Sequence, residues 1–129
     1  MRILAFTDFH GNQEAYQHAK VLIANEKPDF VIVAGDIINY DPNKAKLLLF
    51  DLAAAGSPVY FVPGNMDGEE LGNWAGGKNV HALHGRCENR EGVSLIGLGG
   101  SRTAHSKRSS STASKKPQSW SRRRVEVTK

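Results

Sequence analysis

The sequence predicts an α/β fold built on a parallel sheet. Short apolar runs over 2–7, 29–34 and 58–62 indicate buried strands, because strands covered on both faces are apolar throughout. Two longer segments between them, 12–26 and 41–56, have the features of helices. Strands that alternate with helices favour parallel pairing through right-handed crossovers. The chain has 129 residues, which is enough for one ordinary domain with a core.

The two predicted helices have apolar spacing or recognisable ends. In the first, apolar residues recur at helical spacing at Ala15, Ala19, Leu22 and Ile23. Pro28 should end it, since proline cannot donate to the helix ladder. In the second, Asp41 and Pro42 suit the N-cap and first turn, and Gly56 suits the end.

Shorter elements follow the third strand. We expect a short helical turn over 69–75 that ends at Gly76 and Gly77. Two further strands are predicted over 79–84 and 93–98, joined by a polar turn around Glu88-Asn89. The predicted order is therefore β-α-β-α-β followed by two short strands.

The composition changes sharply near Ser101. Residues 1–100 carry 8 Lys and Arg against 12 Asp and Glu, whereas residues 101–129 carry 9 against the single acid Glu126. Eight of the ten serines also lie in 101–129, which contain no Leu, Ile or Phe. We therefore divide the chain into a domain over 1–101 and a basic tail over 102–129. The tail is predicted to be disordered, because it has too little apolar surface to offset the entropy of ordering.

The cysteine content and the hydropathy of the sequence indicate the cellular compartment in which the protein is expected. The single cysteine, Cys87, excludes an internal disulfide and fits a reducing compartment. Met1-Arg2-Ile3 enters the first strand directly, without a segment typical of a signal peptide. No apolar run approaches the roughly 18 residues of a membrane span. The expected location is the cytoplasm.

Potential metal ligands follow each of the three main strands. Asp8 and His10 follow the first, Asp36 the second, and Asn65 and Asp67 the third. Ligands collect beyond the carboxyl ends of strands in open α/β sheets, and carboxylate, imidazole and amide groups suit divalent cations. In an extended strand end, residues i and i+2 point the same way, so Asp8 and His10 are predicted to hold one ion.

Each of these motifs has a structural alternative. Asp8 could be the N-cap of the first helix. The pairs Gly35-Asp36 and Gly64-Asn65 are also common in turns. Their occurrence in order on three successive strands favours a metal site.

Five segments resemble the calcineurin-like metallophosphoesterases, in the small bacterial and archaeal branch of that family. They are Asp8-Phe9-His10-Gly11-Asn12, Gly35-Asp36, Gly64-Asn65-Met66-Asp67, His84-Gly85-Arg86 and Gly97-Leu98-Gly99-Gly100-Ser101. The resemblance covers residues 1 to about 101. It implies the N-terminal part of a β-sandwich flanked by helices, and hydrolysis of a phosphomonoester or phosphodiester, as in phosphatases and phosphodiesterases.

Carried over by position, the resemblance implies two metal ions. Asp8 and His10 would bind the first, Asp36 would bridge both, and Asn65 would bind the second. Mn²⁺ is the expected ion, with Zn²⁺, Fe²⁺ or Ni²⁺ as alternatives. In the family, a hydroxide between the ions attacks phosphorus in line, while the cations stabilise charge on the phosphoryl oxygens.

Two residues would contribute to catalysis by the same resemblance. Asp67 would assist the leaving group if protonated, or orient water if ionised. Asn12 would line the mouth of the site. His81 and His84 are not expected to form a metal pair, because residues i and i+3 of a strand face opposite sides.

The family pattern continues with a further histidine and a Gly-His-x-His motif, which complete both coordination shells. This sequence has no Gly-His-x-His, and His105 in the tail is its only histidine after His84. We therefore expect one ion to bind weakly and the second scarcely at all, with activity of this chain in question.

The basic tail has two interpretations. With Trp120 and Arg122-Arg123-Arg124 it could bind nucleic acid. Alternatively, a shifted reading frame has replaced folded sequence, leaving a non-catalytic chain with exposed sheet surface that self-associates. We favour the second, because the resemblance breaks inside a motif. A nucleotide-binding loop at Gly97-Leu98-Gly99-Gly100 ranks last, since no helix pattern follows it.

Overall fold

The computed structural model describes residues 1–64, 66–100 and the strand 124–128. Within these ranges the chain alternates strands and helices as far as the third helix and then continues mainly as strands. The elements are β1 (Ile3–Phe6), α1 (Gln13–Glu26), β2 (Phe30–Ala34), α2 (Pro42–Ala54), β3 (Val59–Val62), α3 (Gly68–Asn73), β4 (Gly76–Gly77), β5 (Val80–Ala82), β6 (Arg86–Arg90), β7 (Val93–Leu98) and β8 (Arg124–Thr128).

The strands form two sheets. The first has the order β1-β2-β3-β5-β4; β1, β2, β3 and β5 are parallel, and β4 is antiparallel to β5. The second is antiparallel, with the order β6-β7-β8. The predicted α/β fold with a parallel sheet is confirmed. The parallel register, with Val33 opposite Phe6 and Phe61, brings the ends of the first three strands to one edge.

Two apolar clusters cover the two faces of the first sheet. On the helical face, Val31, Val33 and Phe61 pack with buried residues of α1 and α2 such as Ile23 and Leu49. On the opposite face, a second cluster joins the two sheets. Its buried members are Phe30, Ile32, Tyr60, Val62, Leu83, Val93 and Leu95. The alternation of Val93 and Leu95 with more exposed neighbours on β7 is the two-residue period of a strand covered on one face.

The ends of the first two helices follow from their capping residues. The Asn12 side chain accepts a hydrogen bond from the Ala15 N–H (3.0 Å) at the start of α1. Asp41 caps α2 in the same way through the Lys44 N–H (3.1 Å), and Pro42 occupies the first turn as predicted. In the described part of the chain, no helix is both long enough and apolar enough to span a membrane.

Three local predictions are wrong. β1 is only partly buried, because it lies at the edge of its sheet. In α1, Tyr16 rather than Leu22 joins Ala19 and Ile23 in the core. The segment around Glu88-Asn89 is not a turn but the middle of β6.

The turn of that hairpin lies at Glu91-Gly92, where φ is 51° and 81°. Two successive residues with positive φ match the right-handed twist of a two-residue hairpin.

Most of the residues predicted to be disordered, 102–123 and 129, lie outside the described residues. Residues 124–128 form β8, although composition predicted disorder there. The backbone edge of β7 offers a row of hydrogen-bonding groups, and valine at positions 125 and 127 suits a strand. The domain boundary near residue 101 stays a prediction.

Candidate metal centre

The candidate site lies at the carboxyl edge of the first sheet, where the segments that follow β1 and β2 run side by side. The Asp8 N–H donates to the Gly35 carbonyl (3.2 Å), and the His10 N–H donates to the Asp36 carbonyl (2.8 Å). The Gly11 N–H continues the series to the Ile37 carbonyl (2.9 Å). These backbone bonds extend the parallel pairing of β1 and β2 beyond the strands. They bring Asp8 and His10 against Asp36.

Asp8, His10 and Asp36 form a cluster of potential metal ligands. Each offers one ligand atom, and these atoms all lie within 4.8 Å of one another. The His10 Nε2 is 3.4 Å from Asp8 Oδ1 and 3.8 Å from Asp36 Oδ2. Asp36 is buried, whereas Asp8 and His10 are exposed. A cation could therefore approach from solvent and reach a fixed carboxylate at the floor of the site.

The backbone of this cluster is not extended, so the predicted geometric reason for its convergence is wrong. β1 ends at Phe6, and Asp8, His10 and Asp36 have φ values of 59°, 49° and 53°. Non-glycine residues in this left-handed region typically cost about 1–3 kcal/mol each unless the surroundings hold them. Here the hydrogen bonds between the two segments supply that support.

Two neighbouring side chains contact the exposed potential ligands Asp8 and His10. The His10 Nδ1 lies 3.2 Å from Asn39 Oδ1, and the Thr7 hydroxyl lies 2.7 Å from Asp8 Oδ2. Metal-binding histidines commonly donate their second ring N–H to an oxygen, which leaves the other nitrogen free to bind the ion. Sequence reasoning missed both residues. The available signal was a polar side chain one position before Asp8 and another three positions after Asp36.

Asp36 is held by the segment that follows β3. The Met66 N–H donates to Asp36 Oδ1 at 3.1 Å. Gly64 lies so close that a Cβ at this position would overlap Asp36 Oδ1. A glycine at position 64 is therefore required by the close approach of this backbone to the carboxylate.

Asp67 is buried beside this segment and does not open to solvent. Its Oδ1 accepts hydrogen bonds from the N–H groups of Ile37 (2.8 Å) and Ile38 (3.2 Å), and its Oδ2 accepts from the Gly64 N–H (2.7 Å). Burial raises the pKa of Asp67 and the charge of Asp36 adds to that rise, while the three backbone donors oppose it.

The structure bears differently on the remaining predicted site residues. Asn65, the predicted ligand of the second metal, lies outside the described residues. Asn12 is exposed, and its side-chain oxygen caps α1. Because Asn12 holds the cap position, Asp8 does not, and the alternative that Asp8 is the N-cap is excluded.

The two later histidines do not join the cluster. His81 stacks on Tyr60 with ring centroids 4.7 Å apart. The His84 Nδ1 accepts a hydrogen bond from the Gly99 N–H at 3.0 Å. Within residues 1–64 and 66–100, Asp8, His10 and Asp36 are the only group of three with metal-binding geometry.

A cavity of about 200 Å³ lies beside Gly64, on the side of α3 and the end of β7. Its lining includes the polar residues Glu69, Asn73 and His84 and the glycines Gly99 and Gly100. Because Gly64 also contacts Asp36, the cavity and the carboxylate cluster are neighbours.

Comparison with known proteins gives a family and a fold. A sequence model of the calcineurin-like phosphoesterases matches residues 1–124. A solved crystal structure aligns with a TM-score of 0.65 and 20% identity over 81% of this chain, and this chain spans 55% of that one. The search of curated proteins finds no match. At this identity the structural likeness shows the fold alone.

Fold and site together define an α/β protein with a candidate divalent-cation centre at the carboxyl edge of its sheet. The sequence match makes the assignment specific. This chain belongs to the calcineurin-like phosphoesterase family, whose members are metal-dependent phosphoesterases.

Proposed function

We propose that this protein hydrolyses phosphate esters with the help of divalent cations bound at Asp8, His10 and Asp36. The observation that carries the proposal is the convergence of these side chains within 4.8 Å in a member of the calcineurin-like phosphoesterase family. The substrate class is a phosphomonoester or phosphodiester.

The donor set suits a metal ion. Two carboxylates and one imidazole are ligands for Mn²⁺, Zn²⁺, Fe²⁺ or Ni²⁺, and we propose Mn²⁺ as the first choice. The negative charges of Asp8 and Asp36 lie close together, so a cation between them relieves their repulsion. Asp36 is already held by the Met66 N–H, which reduces the ordering that binding requires.

Each residue has a distinct proposed role. Asp8 and His10 would hold the first ion, and Asp36 would be a ligand of both ions. Asn65 would be a ligand of the second ion. When bound, such cations lower the pKa of coordinated water and stabilise charge on phosphoryl oxygens. Asn12 is proposed at the mouth of the site, two positions beyond His10.

The cavity beside Gly64 offers space for the organic part of the ester. Its volume is about 200 Å³, and we propose that a small leaving group occupies it. The Gly99 N–H bond to His84 Nδ1 leaves Nε2 of a neutral imidazole as the protonated nitrogen. His84 also lines the cavity that adjoins the carboxylate cluster.

Three further proposals concern the cellular location of the protein and its binding partners. The exposed free thiol of Cys87 fits a reducing compartment, which supports the cytoplasm. Nucleic-acid binding through residues 102–129 remains a prediction. Salt-sensitive binding to DNA or RNA that is lost on deleting residues 102–129 would support it. Self-association also remains a prediction, measurable by sedimentation.

Hydrolysis of nitrophenyl phosphate and bis-nitrophenyl phosphate tests the reaction. We expect release of nitrophenol that requires Mn²⁺ and is lost on chelation. The variant Asp36→Ala should reduce the rate by at least about 100-fold, because it removes the proposed bridging carboxylate. Asp51→Ala is the matched control, since Asp51 is an exposed aspartate on α2 that pairs with Lys20. Equal rates for Asp36→Ala and the unmodified protein would contradict the proposal.

Calorimetric titration with Mn²⁺ tests the number of ions. The first position has three proposed protein ligands, Asp8, His10 and Asp36, whereas the second has only Asp36 and Asn65. We therefore expect one weak binding event and scarcely any second event. Two tight events would contradict this ligand count.

A further inference from the structure

Asp67 directs its carboxylate away from its own helix. It occupies the N-cap position of α3, yet its side chain makes no capping hydrogen bond there. The carboxylate instead reaches Ile37 and Ile38, which follow β2. Its other oxygen accepts from the Gly64 N–H, which follows β3. One buried side chain therefore joins the two segments that carry or flank the proposed ligands.

Further hydrogen bonds place Asp36 inside this connection. The Ile37 N–H belongs to the residue that follows Asp36, and the Met66 N–H donates to the Asp36 side chain. The Tyr40 N–H also donates to the Met66 carbonyl at 2.8 Å. The side chain of Asp36 is thus fixed by the segment after β3, and the backbone directly after Asp36 is fixed by Asp67.

This geometry differs from what a proton donor to a leaving group requires. Such a donor must reach the substrate within hydrogen-bonding distance. Asp67 is 1% exposed, and both of its oxygens accept backbone N–H groups. Its contacts are to the backbone of the site and not to the space in front of it.

We propose that Asp67 is a positioning residue, which fixes the spacing between the segments after β2 and β3 so that Asp36 faces Asp8 and His10. The inference rests on the proposed metal site at those three residues. It replaces the sequence-based expectation that Asp67 acts on the leaving group. Asp67 acts through Asp36, and no atom of substrate needs to contact it.

The variant Asp67→Asn tests the proposal with minimal change of shape. An amide can accept the Ile37 and Ile38 N–H groups through its oxygen, but its NH₂ group cannot accept from the Gly64 N–H. We expect the affinity for Mn²⁺, measured by calorimetry, to fall by about 10–100-fold. Asp41→Asn is the matched control, because it changes an exposed aspartate that accepts a backbone N–H at the start of α2. Unchanged affinity in folded Asp67→Asn would overturn the proposal.

Two substrates separate positioning from proton donation. Nitrophenolate leaves without a proton, whereas phenolate benefits from one. A positioning residue should lower the rate on nitrophenyl phosphate and phenyl phosphate by the same factor. A loss confined to phenyl phosphate, with normal Mn²⁺ affinity and an altered pH profile, would assign Asp67 to the leaving group and overturn the proposal.

Amide hydrogen exchange in the metal-free protein gives a readout that requires neither metal nor activity. The amides of Ile37, Ile38 and Gly64 lie outside helices and strand ladders, and each donates its hydrogen bond to Asp67. We expect protection in the unmodified protein and at least about 10-fold faster exchange in Asp67→Asn, with the capped Ala15 amide unchanged.

The outcomes of these tests are distinguishable. If the unmodified protein binds no Mn²⁺, the proposed function fails, while the exchange rates still decide whether Asp67 joins the two segments. If the amides of Ile37, Ile38 and Gly64 exchange as fast as exposed loops in the unmodified protein, the positioning role is overturned. That measurement also applies if Asp67→Asn does not fold.

Discussion

His10 faces Asp8 and Asp36 through Nε2, and its other ring nitrogen contacts Asn39. The Asn39 oxygen favours the tautomer with a proton on Nδ1, so that the Nε2 lone pair is available to a cation. Thr7 lies beside Asp8 as Asn39 lies beside His10. Its hydroxyl is 2.7 Å from Asp8 Oδ2 and 2.7 Å from the Ala34 carbonyl. At this scale, short polar side chains contact the proposed ligands Asp8 and His10.

Replacing Asn39 tests the orientation of His10. We expect Asn39→Ala to weaken Mn²⁺ binding by about 10-fold, because the imidazole loses the oxygen that fixes its tautomer and ring plane. Asn39→Asp should retain or increase affinity, because its carboxylate also accepts from Nδ1–H. Calorimetry measures both, and the exposed Asn43 on α2 provides the control Asn43→Ala. Wild-type affinity in Asn39→Ala would contradict the assignment.

Sequence reasoning predicted that Asp8, His10 and Asp36 converge, but not the geometry by which they do so. Asp8, His10 and Asp36 could be predicted because parallel strands end at one edge, and any side chains just beyond them meet there. The left-handed backbone at these positions could not be predicted, since it depends on hydrogen bonds between segments 25 or more residues apart, such as Asp8 to Gly35. The direction of the buried Asp67 carboxylate could not be predicted either, because it also depends on hydrogen bonds to a distant segment, at Ile37 and Ile38.

At the scale of elements, Gly97 on β7 allows the two sheets to approach each other. A Cβ at this position would lie 2.6 Å from Leu83 Cβ and 2.7 Å from Val62 Cγ1. These neighbours belong to the apolar cluster between the sheets, where no side chain can move far. The end of β7, which leads to Gly99 at the cavity, is therefore placed by the absence of a side chain at Gly97.

The variant Gly97→Ala should reduce the free energy of unfolding by about 1–3 kcal/mol, because one methyl group overpacks the space between the sheets. Urea unfolding measures the change. Gly72→Ala is the matched control: Gly72 lies in α3, and an added Cβ meets only Pro63 Cγ at 3.8 Å. A loss in Gly72→Ala as large as in Gly97→Ala would contradict the packing explanation.

The elements differ in how well the sequence could predict them. β2 and β3 are apolar at nearly every position, so their burial and parallel pairing were predictable. β6 reads Arg-Cys-Glu-Asn-Arg, is mostly exposed, and carries almost no hydrophobic pattern. Its strand conformation comes from the backbone ladder with β7, which a local pattern cannot indicate.

For the whole molecule, a polar contact between the sheets accompanies the apolar cluster. His81 on β5 stacks on Tyr60 of β3, and the Arg90 guanidinium of β6 donates to the Tyr60 hydroxyl at 3.3 Å. Burial lowers the pKa of His81 below its ordinary value of 6.5; Glu88 opposes this effect and Arg90 adds to it. The fold therefore favours the neutral imidazole.

This preference makes stability depend on pH. A histidine whose pKa is lowered by folding contributes stability above pH 6.5, and the contribution is lost as the pH falls through the folded-state pKa. Between about pH 7.5 and pH 5, the unmodified protein should lose more free energy of unfolding than His81→Phe, which keeps the stacking but cannot titrate. Urea unfolding at both pH values measures this, with the exposed His18→Gln as control. Parallel losses in His81→Phe and the unmodified protein would contradict it.

The backbone bonds between the segments after β1 and β2 have a thermodynamic consequence. These segments hold the proposed ligands together only while β1 and β2 remain paired, so an ion that binds there would stabilise the paired chain over the unfolded one. By mass action, the melting temperature should rise with free Mn²⁺, by an amount that corresponds to about 2.7 kcal/mol when the ion is at 100 times its dissociation constant. Ion supply and the lifetime of the folded chain would then be coupled, so that scarcity of the cation would shorten survival as well as slow turnover.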